Sequence, residues 1–339
     1  MNMDEKIDIV IPWVDGNDPV WKKEKEEWTE KENPSQAFNS NNRYQDWGNL
    51  RYLFRAIEKN LPWFNKIVFV TYGHIPDFLD TAYSRVEVIR HDEFIPKEYL
   101  PTFNVNTIEL NLHRIENLCE HFIYFNDDTF PIGYIDKEYF FDENIPCDEA
   151  IETPIIPTLS GELTEYVWNI RGLDTAIINK HFDKREIQKK YPEKWFNECY
   201  GELLERNKSL SYWNNFVGFH DPHMPNAFCK SSFKTVWNEE HAILDSTCKR
   251  RFRNFSNVNQ WLVRYWQLCE GNFMPRKTQG KSYVVTKDNC VAVSKEIKER
   301  MYPMVCINEE CRADDFDFIK EQINNSLEQL FPNKSKFEQ

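Results

Sequence analysis

The sequence predicts an α/β protein whose mostly parallel sheet is flanked by helices. Between residues 7 and 132, short β-rich apolar runs alternate with amphipathic helical patterns, which is typical of strand–helix–strand units. The chain has 25 Phe, 15 Tyr and 11 Trp but only 10 Gly, a composition that indicates a well-packed globular protein. Its 339 residues are enough to bury a sizeable core and to form two lobes.

The predicted order of the core elements is strand, helix, strand, strand, helix, strand. Four apolar runs are predicted as strands, and two stretches with one apolar face are predicted as helices. The strands cover 7–14, 66–73, 86–91 and 121–125, and the helices cover 46–60 and 104–118. The first helix is predicted to start at Asp46, and Asn104 or Asn106 to cap the second. The charged stretch 22–42 is predicted to be a mobile or inserted loop.

Beyond the fourth strand the strand–helix alternation weakens, and charged helical patterns take over. We therefore predict four segments. They are an α/β core at 1–148, a helical insertion or second lobe at 149–214, the remainder of the catalytic core at 215–285, and a C-terminal helical segment at 286–339.

Charge and cysteine content exclude several classes of protein. The net charge of −13 argues against nucleic-acid binding and against broad adhesion to anionic lipid. Nine cysteines include no CxxC pair, and Cys306 and Cys311 lack the partner pair of a zinc site, so we expect reduced thiols. No apolar run reaches the ~18–20 residues that span a bilayer, and the acidic start leads directly into a strand instead of a signal peptide. We expect a cytoplasmic protein.

Polar side chains follow three of the predicted strands where each strand ends. They are the sequences DGND after the first strand, TYGH after the second and NDD, residues 126–128, after the fourth. In parallel sheets ligands bind beyond the carboxyl ends of the strands, so these exits are expected to meet at one crevice. Asp127 and Asp128 suit a Mg²⁺ or Mn²⁺ ion that bridges phosphate oxygens, although a turn or a helix cap explains adjacent acids equally well.

Three further features are candidates for chemistry, each with a simpler alternative. Glu109 and His113 lie four residues apart on one helix, as an acid/base pair or as a helix-surface hydrogen bond. His223 lies in a turn between prolines, where a histidine is usually just solvated. The basic run that contains Arg253 could clamp phosphates or form a solvated face. No nucleotide-binding glycine loop, GxSxG or HExxH motif is present.

Five stretches together resemble the Stealth family. This family comprises the capsular and exopolysaccharide sugar-phosphate transferases of bacteria and the animal N-acetylglucosamine phosphotransferase that tags lysosomal enzymes. The stretches are IDIVIPWVDGNDPVW at 7–21, the run from RYQDWGN to IPDFL at 43–79, the run from LPTFNVN to NDDTFPI at 100–132, HMPNAF at 223–228 and LFPNKSKFE at 330–338. The likeness is densest over 7–132 and does not cover the helical stretch around 187–210.

The resemblance implies a reaction and its partners. Such enzymes move a sugar-1-phosphate from a nucleotide-diphosphate sugar to a hydroxyl of an acceptor sugar, form a phosphodiester and release the nucleoside monophosphate. It implies a core similar to that of GT-A-like or Rossmann-like sugar-nucleotide transferases. It also implies a lipid-linked glycan acceptor at the inner face of the plasma membrane, with at most peripheral contact with the bilayer. A homodimer is left open.

The resemblance also assigns roles to matching positions. The catalytic candidates are His223, Glu109, Asp127 and Arg253, with the choice of general base open among the first three. Asp127 and Asp128 are the metal candidates. The substrate-binding candidates are Trp13, Asp15, Gly16, Arg43, Asp46, Arg51, Asn104, Asn126 and Asn257. The chain departs from its relatives at Tyr72–His74, at Val105 and at Asn257, where the animal relative has Asp.

Two rival functions remain open from the sequence. One is a conventional glycosyltransferase, which releases a nucleoside diphosphate. The other is a non-catalytic carbohydrate-binding protein of the same assembly.

Overall fold

The fold is built on a five-stranded sheet, seen in a computed structural model that describes residues 6–39, 44, 46–158, 161–309 and 315–339. The strands are β1 (Ile7–Pro12), β2 (Ile67–Thr71), β3 (Val86–Arg90), β4 (His121–Tyr124), β5 (Thr129–Pro131), β6 (Phe141–Asp142), β7 (Ile145–Asp148), β8 (Asn226–Cys229), β9 (Met274–Pro275), β10 (Lys281–Val285) and β11 (Met304–Glu309). The helices are α1 (Pro19–Glu32), α2 (Gln36–Asn39), α3 (Leu50–Asn60), α4 (His91–Phe94), α5 (Val105–Asn111), α6 (Glu162–His181), α7 (Lys184–Lys190), α8 (Pro192–Trp195), α9 (Leu204–Leu210), α10 (Lys230–Glu239), α11 (His241–Cys248), α12 (Gln260–Glu270), α13 (Cys290–Lys298) and α14 (Phe316–Leu330).

The strand order in the main sheet is β3-β2-β1-β4-β8. The first four strands are parallel and β8 runs antiparallel to β4. Two small sheets, β10-β11-β5 and β6-β7-β9, flank it. The predicted α/β class with a mostly parallel sheet is confirmed, and all four predicted strands are present. The sequence could predict these strands because both faces of a parallel sheet are covered, so that each central strand is a continuous apolar run.

The core lies on both sides of this sheet. Ile9 packs on one face together with Phe54 of α3, and Val10 packs on the other face together with Leu110 of α5. All six residues of β1 are buried, including Asp8. Its carboxylate accepts hydrogen bonds from the Asn65 side chain at 2.7 Å and from a backbone N–H at 2.9 Å.

Three predictions of local structure were wrong. The stretch 22–42 was predicted as a loop, but helices α1 and α2 occupy most of its residues up to 39, and 40–42 lie outside the described residues. Asp18 caps α1 by accepting from two backbone N–H groups, and Pro19 takes the first helical position, a start signal that outweighs the charged composition. Helix α3 begins at Leu50 because Asp46 instead accepts from Gly48 N–H in a turn. Helix α5 stops at residue 111 and a 3₁₀ turn follows.

The segment 149–214 holds helices α6 to α9, and α6 packs against α12 of the core. The ring of Tyr166 on α6 stacks on Phe38 at 4.7 Å. The C-terminal helix α14 is present as predicted, and it packs against α13. The tail after it is anchored, because Glu338 forms two 2.6 Å contacts with the Arg55 guanidinium. Among the described residues, we find no helix with the length and apolar character to cross a bilayer.

Candidate active site

A cleft of about 340 Å³ opens at the carboxyl ends of β1 and β4. Trp13 lines it just after β1, and residues 126–128 line it just after β4. Glu109, Asp127, His223 and Arg253 all line this cleft. They come from α5, the turn after β4, the loop before β8 and the loop before α12. The structure therefore brings the four catalytic candidates together at the sheet edge that the strand exits indicate.

Glu109 is buried, and only one of its carboxylate oxygens is paired. Oε1 accepts a 2.8 Å hydrogen bond from the Tyr124 hydroxyl, whereas no described residue donates one to Oε2. Burial raises the pKa of Glu109 to about 7, although the Tyr124 hydroxyl, the backbone N–H of Gln260 and the charges of Arg253 and His223 oppose the shift. A carboxyl group with this pKa exchanges a proton near neutral pH, as a general base or acid must.

Tyr124 itself was missed by the sequence analysis. It is the last residue of β4 and lies three residues before Asp127, in a run that the sequence predicts as a buried strand. Its register opposite Asn226 on β8 and its reach to α5 are tertiary features. The predicted partner of Glu109, His113, instead faces the core, where its ring stacks near Phe233 at 6.2 Å.

His223 has a left-handed backbone, with φ of 55°. Its Nε2 lies 3.8 Å from Oδ2 of Asp128. Burial lowers the pKa of His223, but the carboxylates of Asp128 and Asp221 together raise it by more, so the net pKa lies above the ordinary value. The imidazole is therefore biased towards its protonated form, which donates protons.

The loop that presents His223 is held by a buried ion cluster. Asp221 accepts from Arg264 Nη1 at 2.7 Å and from the Tyr265 hydroxyl at 2.6 Å. The Arg264 guanidinium also contacts both carboxylate oxygens of Asp148, at 2.7 and 2.9 Å. With Asp221 fixed, the histidine two residues later has a defined position over the cleft.

Arg253 offers a positive charge to the cleft. Its Nη1 donates to the Phe38 carbonyl at 3.3 Å, and its backbone exchanges hydrogen bonds with the Asn39 side chain at 3.0 and 3.1 Å. The guanidinium of Arg253 is thus held by a backbone carbonyl, and it forms no ion pair with a described carboxylate. Its neighbour Arg251 faces away, with its guanidinium 4.0 Å from the centre of the Trp28 ring. Of the basic run, Arg253 lines the cleft.

Asp127 and Asp128 line the same cleft, Asp127 exposed and Asp128 partly buried. Asp128 Oδ1 accepts from the Thr129 hydroxyl at 3.0 Å, which leaves Oδ2 directed towards His223. The carboxylate oxygens of this pair are the hard donors that Mg²⁺ or Mn²⁺ takes, usually one or two of them together with substrate phosphates. The residues present therefore fit such an ion, whose presence stays a prediction.

The substrate-binding candidates divide into those in the cleft and those elsewhere. Trp13 and Asn126 line the cleft. Asp15 donates its backbone N–H to His74 Nε2 at 2.8 Å. Gly16 passes so close to Tyr44 that an added Cβ would meet the Tyr44 carbonyl at 2.0 Å, so only glycine fits there. Both support the wall of the site from behind.

Like Asp15 and Gly16, four further candidates do not line the cleft. The backbone carbonyl of Asp46 accepts from Lys320 at 3.3 Å, and the guanidinium of Arg51 lies 5.6 Å from the Phe78 ring. Asn104 and Asn257 are fully buried and bonded to each other at 3.1 Å, so they tie α5 to the Arg253 loop. The Oδ1 of Asn257 accepts from three N–H donors, whereas no described residue accepts from its Nδ2. The remaining candidate, Arg43, lies outside the described residues.

The sequence analysis missed cleft residues from later segments. Tyr166 of α6 and both Gln260 and Trp261 of α12 line the cleft. A second cavity of about 600 Å³ adjoins it and shares His91 and Thr102 with it. The predicted exit after β2, with Tyr72 and His74, opens on this second cavity. The periodicity of a helix marks its apolar face, but it does not say which part of that face borders a cavity.

Comparison with known protein families and relatives identifies the family of this chain. The models for Stealth conserved region 1 and conserved region 2 match residues 5–32 and 43–148. A capsular polysaccharide phosphotransferase WcwK of Streptococcus pneumoniae is 41% identical over 98% of both chains. The chain belongs to the Stealth family.

Other Stealth relatives match almost the whole chain at 34% identity. The receptor polysaccharide phosphotransferase WefC of Streptococcus oralis aligns over 98% of this chain and 99% of the relative. The exopolysaccharide phosphotransferase cps2G of Lactiplantibacillus plantarum aligns over 98% and 96%. The predicted family and the predicted class of enzyme, a phosphotransferase, are confirmed. The solved glycosyltransferase GlyE of S. pneumoniae aligns over 93% of this chain and 78% of its own, with 8% identity and a TM-score of 0.26, too weak to carry an argument.

Proposed function

We propose that this Stealth protein transfers a sugar-1-phosphate from a nucleotide-diphosphate sugar to a hydroxyl of a glycan acceptor in capsule or exopolysaccharide synthesis. The observation that carries the proposal is the convergence of Glu109, His223 and Arg253 on one cleft beside the two acids. A proton acceptor, a proton donor and a fixed cation around one space are what phosphoryl transfer to an alcohol requires.

In the proposed reaction the acceptor oxygen attacks the phosphorus that carries the sugar. The new bond joins this oxygen to that phosphorus, and the bond from the phosphorus to the bridging oxygen breaks. The nucleoside monophosphate leaves with the bridging oxygen. Because the bond between the sugar's anomeric carbon and its oxygen is untouched, the anomeric configuration is retained.

Glu109 is the general base of this proposal. Its ionised Oε2, which no described residue pairs, accepts the proton of the acceptor hydroxyl. His223 begins protonated, because Asp128 favours that form, and gives its proton to the leaving phosphate. Glu109 therefore starts ionised and takes one proton, and His223 starts protonated and gives one proton.

Arg253 neutralises charge on the phosphoryl oxygens, since a guanidinium binds them bidentately. Asp127 and Asp128 would hold Mg²⁺, and charge neutralisation at the diphosphate is the chemistry that the bound ion supplies. The adjoining cavity, with Tyr72 and His74 on its wall, has room for the nucleoside of the donor. A lipid-linked acceptor, a location at the inner face of the membrane and a homodimer stay predictions.

The test is incubation with a panel of nucleotide sugars and a short acceptor glycan, followed by phosphorus NMR of the product. We expect a phosphodiester and release of nucleoside monophosphate. Release of nucleoside diphosphate without a phosphodiester would favour the conventional glycosyltransferase, and binding without turnover would favour the carbohydrate-binding alternative.

Variants test the assignment of the site. His223→Ala and Asp127→Ala are each expected to abolish turnover while thermal unfolding stays close to that of the wild type. Glu205→Gln is the matched control, because this side chain is exposed on α9 and pairs only with nearby Lys208 in the described structure. Wild-type turnover in both site variants would overturn the assignment.

A further inference from the structure

We propose that Asp128, His223 and Cys306 form a binding site for a thiophilic divalent cation of the Zn²⁺ class. Their ligand atoms all lie within 4.8 Å of one another. Across the described ranges no other group of three or more His, Cys, Asp or Glu side chains meets this condition. The sequence analysis excluded a zinc site because no second cysteine pair is present, but this site needs only one cysteine.

Three separate elements build the site. Asp128 lies in the turn between β4 and β5, His223 in the loop before β8, and Cys306 in β11. Strand β11 pairs antiparallel with β5, so that Cys306 lies opposite Thr129. The backbone carbonyl of Asp128 accepts from the N–H of Ile307 at 2.9 Å, which locks the turn to the strand. The cysteine and the aspartate are therefore held in register by the sheet.

The separation of the histidine and aspartate ligand atoms suits tetrahedral coordination. Two oxygen or nitrogen ligands at about 2.0–2.1 Å from a tetrahedral ion lie about 3.4 Å apart. His223 Nε2 and Asp128 Oδ2 are 3.8 Å apart, so a contraction of a few tenths of an ångström brings both into reach. Both residues line the cleft, and the fourth position of the ion would face it. Three protein ligands with one open position are typical of reactive zinc sites.

The surroundings of the ligands orient them. Asn308 donates its Nδ2–H to Cys306 Sγ at 3.1 Å, and the Thr129 hydroxyl donates to Asp128 Oδ1 at 3.0 Å. Donors of this kind hold first ligands in place around a metal. A sulfur, a nitrogen and an oxygen together favour a borderline or soft cation, whereas Mg²⁺ prefers oxygen alone. The site therefore discriminates against the ion that the reaction is proposed to use.

Occupancy of this site has a consequence that depends on the proposed function. A histidine nitrogen that ligates a metal cannot carry a proton at the same time, so the bound cation removes His223 from acid catalysis. It also takes Asp128 from the hard-cation pair. The thiophilic cation is thus an inhibitor, antagonised by excess Mg²⁺.

Cobalt binding tests the site without any substrate. Co²⁺ replaces Zn²⁺ in such sites, and a thiolate ligand gives a charge-transfer band in the near ultraviolet. After treatment with a chelator, the full chain is titrated with Co²⁺ and then with Zn²⁺. We expect one such band at one equivalent, lost again when Zn²⁺ displaces the cobalt. A wild-type protein without this band overturns the proposal.

Variants identify the ligands. Cys306→Ser should abolish the band and weaken Zn²⁺ binding by more than the ~10–100-fold that loss of an outer-shell partner costs. Cys290→Ser is the matched control, because this buried thiol lies on α13 and bonds to a backbone carbonyl at 3.4 Å. Equal Zn²⁺ affinity in the wild type and Cys306→Ser overturns the proposal. Asn308→Ala, at a partly buried position, should weaken Zn²⁺ binding about 10–100-fold. This variant replaces Cys306→Ser in the test if the serine variant does not fold.

Inhibition is measured separately, as the ratio of each variant's rate with and without Zn²⁺. We expect inhibition of the wild type and resistance in Cys306→Ser. Equal inhibition of both overturns the regulatory consequence. Because cobalt binding needs no donor or acceptor, a failure of the proposed transfer reaction leaves the spectroscopic result intact, and the two failures are distinguishable.

Discussion

Two groups of charged side chains lie along helix α12. The charges of one group are fully paired, and those of the other are only partly paired. In the first group, Arg264 contacts Asp148 and Asp221 at 2.7–2.9 Å. Asp221 also pairs with the Tyr265 hydroxyl and with Arg171. In the second group, at the start of the same helix, Glu109 has one unpaired oxygen and Arg253 has no carboxylate partner in the described structure. The paired charges hold the loop of His223 in place, and the incompletely paired ones face the cleft.

The difference teaches which buried charges serve structure and which serve chemistry. A fully paired cluster has no remaining capacity to bind a ligand, but removing one member leaves its partners charged in a poorly solvating place. A half-paired carboxylate costs stability, and it keeps a lone pair for a substrate. Four predictions would break or sharpen this comparison.

The largest expected effect is on turnover in Glu109→Gln. Glutamine keeps the shape and can still accept from the Tyr124 hydroxyl, but it cannot take a proton. We expect kcat to fall about 10²–10⁴-fold, the usual contribution of a general base, with the fold retained. Steady-state kinetics beside circular dichroism check this. A rate within a few-fold of the wild type would remove Glu109 from the chemistry.

The next effect is on stability in Arg264→Met. This change leaves Asp148 buried without its cation and leaves Asp221 with Arg171 alone, whose Nε lies 3.1 Å away. We therefore expect a loss of about 3–5 kcal/mol in the free energy of unfolding. Urea denaturation measures it. Lys208→Met is the control, since it breaks the exposed pair with Glu205 and should cost about 0–1 kcal/mol. Equal losses in both variants would contradict the distinction between the two groups.

The third effect is a pH dependence of stability. The pKa of Glu109 is about 7 in the folded protein and 4.5 in the reference state, because burial disfavours the charged form. The folded protein therefore holds a proton that the unfolded chain has released, and this contribution to stability is lost as pH rises from about 4.5 through 7. We expect the unfolding free energy of the wild type, relative to Glu109→Gln, to fall by up to about 3 kcal/mol between pH 5 and 8.

Parallel denaturant titrations of the two proteins at several pH values give this difference, in which the other titrating groups largely cancel. A difference that does not change with pH would mean that Glu109 has an ordinary pKa, and hence that its buried environment is wrongly described.

The smallest effect comes from a fully paired group near the surface. Asp18→Ala removes the cap of α1, whose oxygen accepts from two N–H groups at 3.0 and 2.8 Å. We expect a loss of about 0.5–2 kcal/mol in the free energy of unfolding. Thermal unfolding checks it. A loss as large as that of Arg264→Met would show that burial does not set the scale of these effects.

Local sequence by itself determined the central strands, the amphipathic helices α3 and α14, and the edge of the sheet at which the acids lie. These features are readable because burial on one or both faces imposes a short-range apolar pattern, and because parallel strands end at a common edge. The family likeness placed Glu109, His223 and Arg253 at one site, and the structure brings them to one cleft.

Only the tertiary structure decided the state of these groups. The pKa of Glu109 is raised by its burial, against the hydrogen bond from Tyr124. The pKa of His223 is raised by Asp128, 95 residues earlier in the chain, and by Asp221. The meeting of Cys306 with Asp128 depends on the pairing of β11 with β5. Spacing along a chain records which face a residue takes within its own element, whereas desolvation and charge depend on what other elements bring to that face.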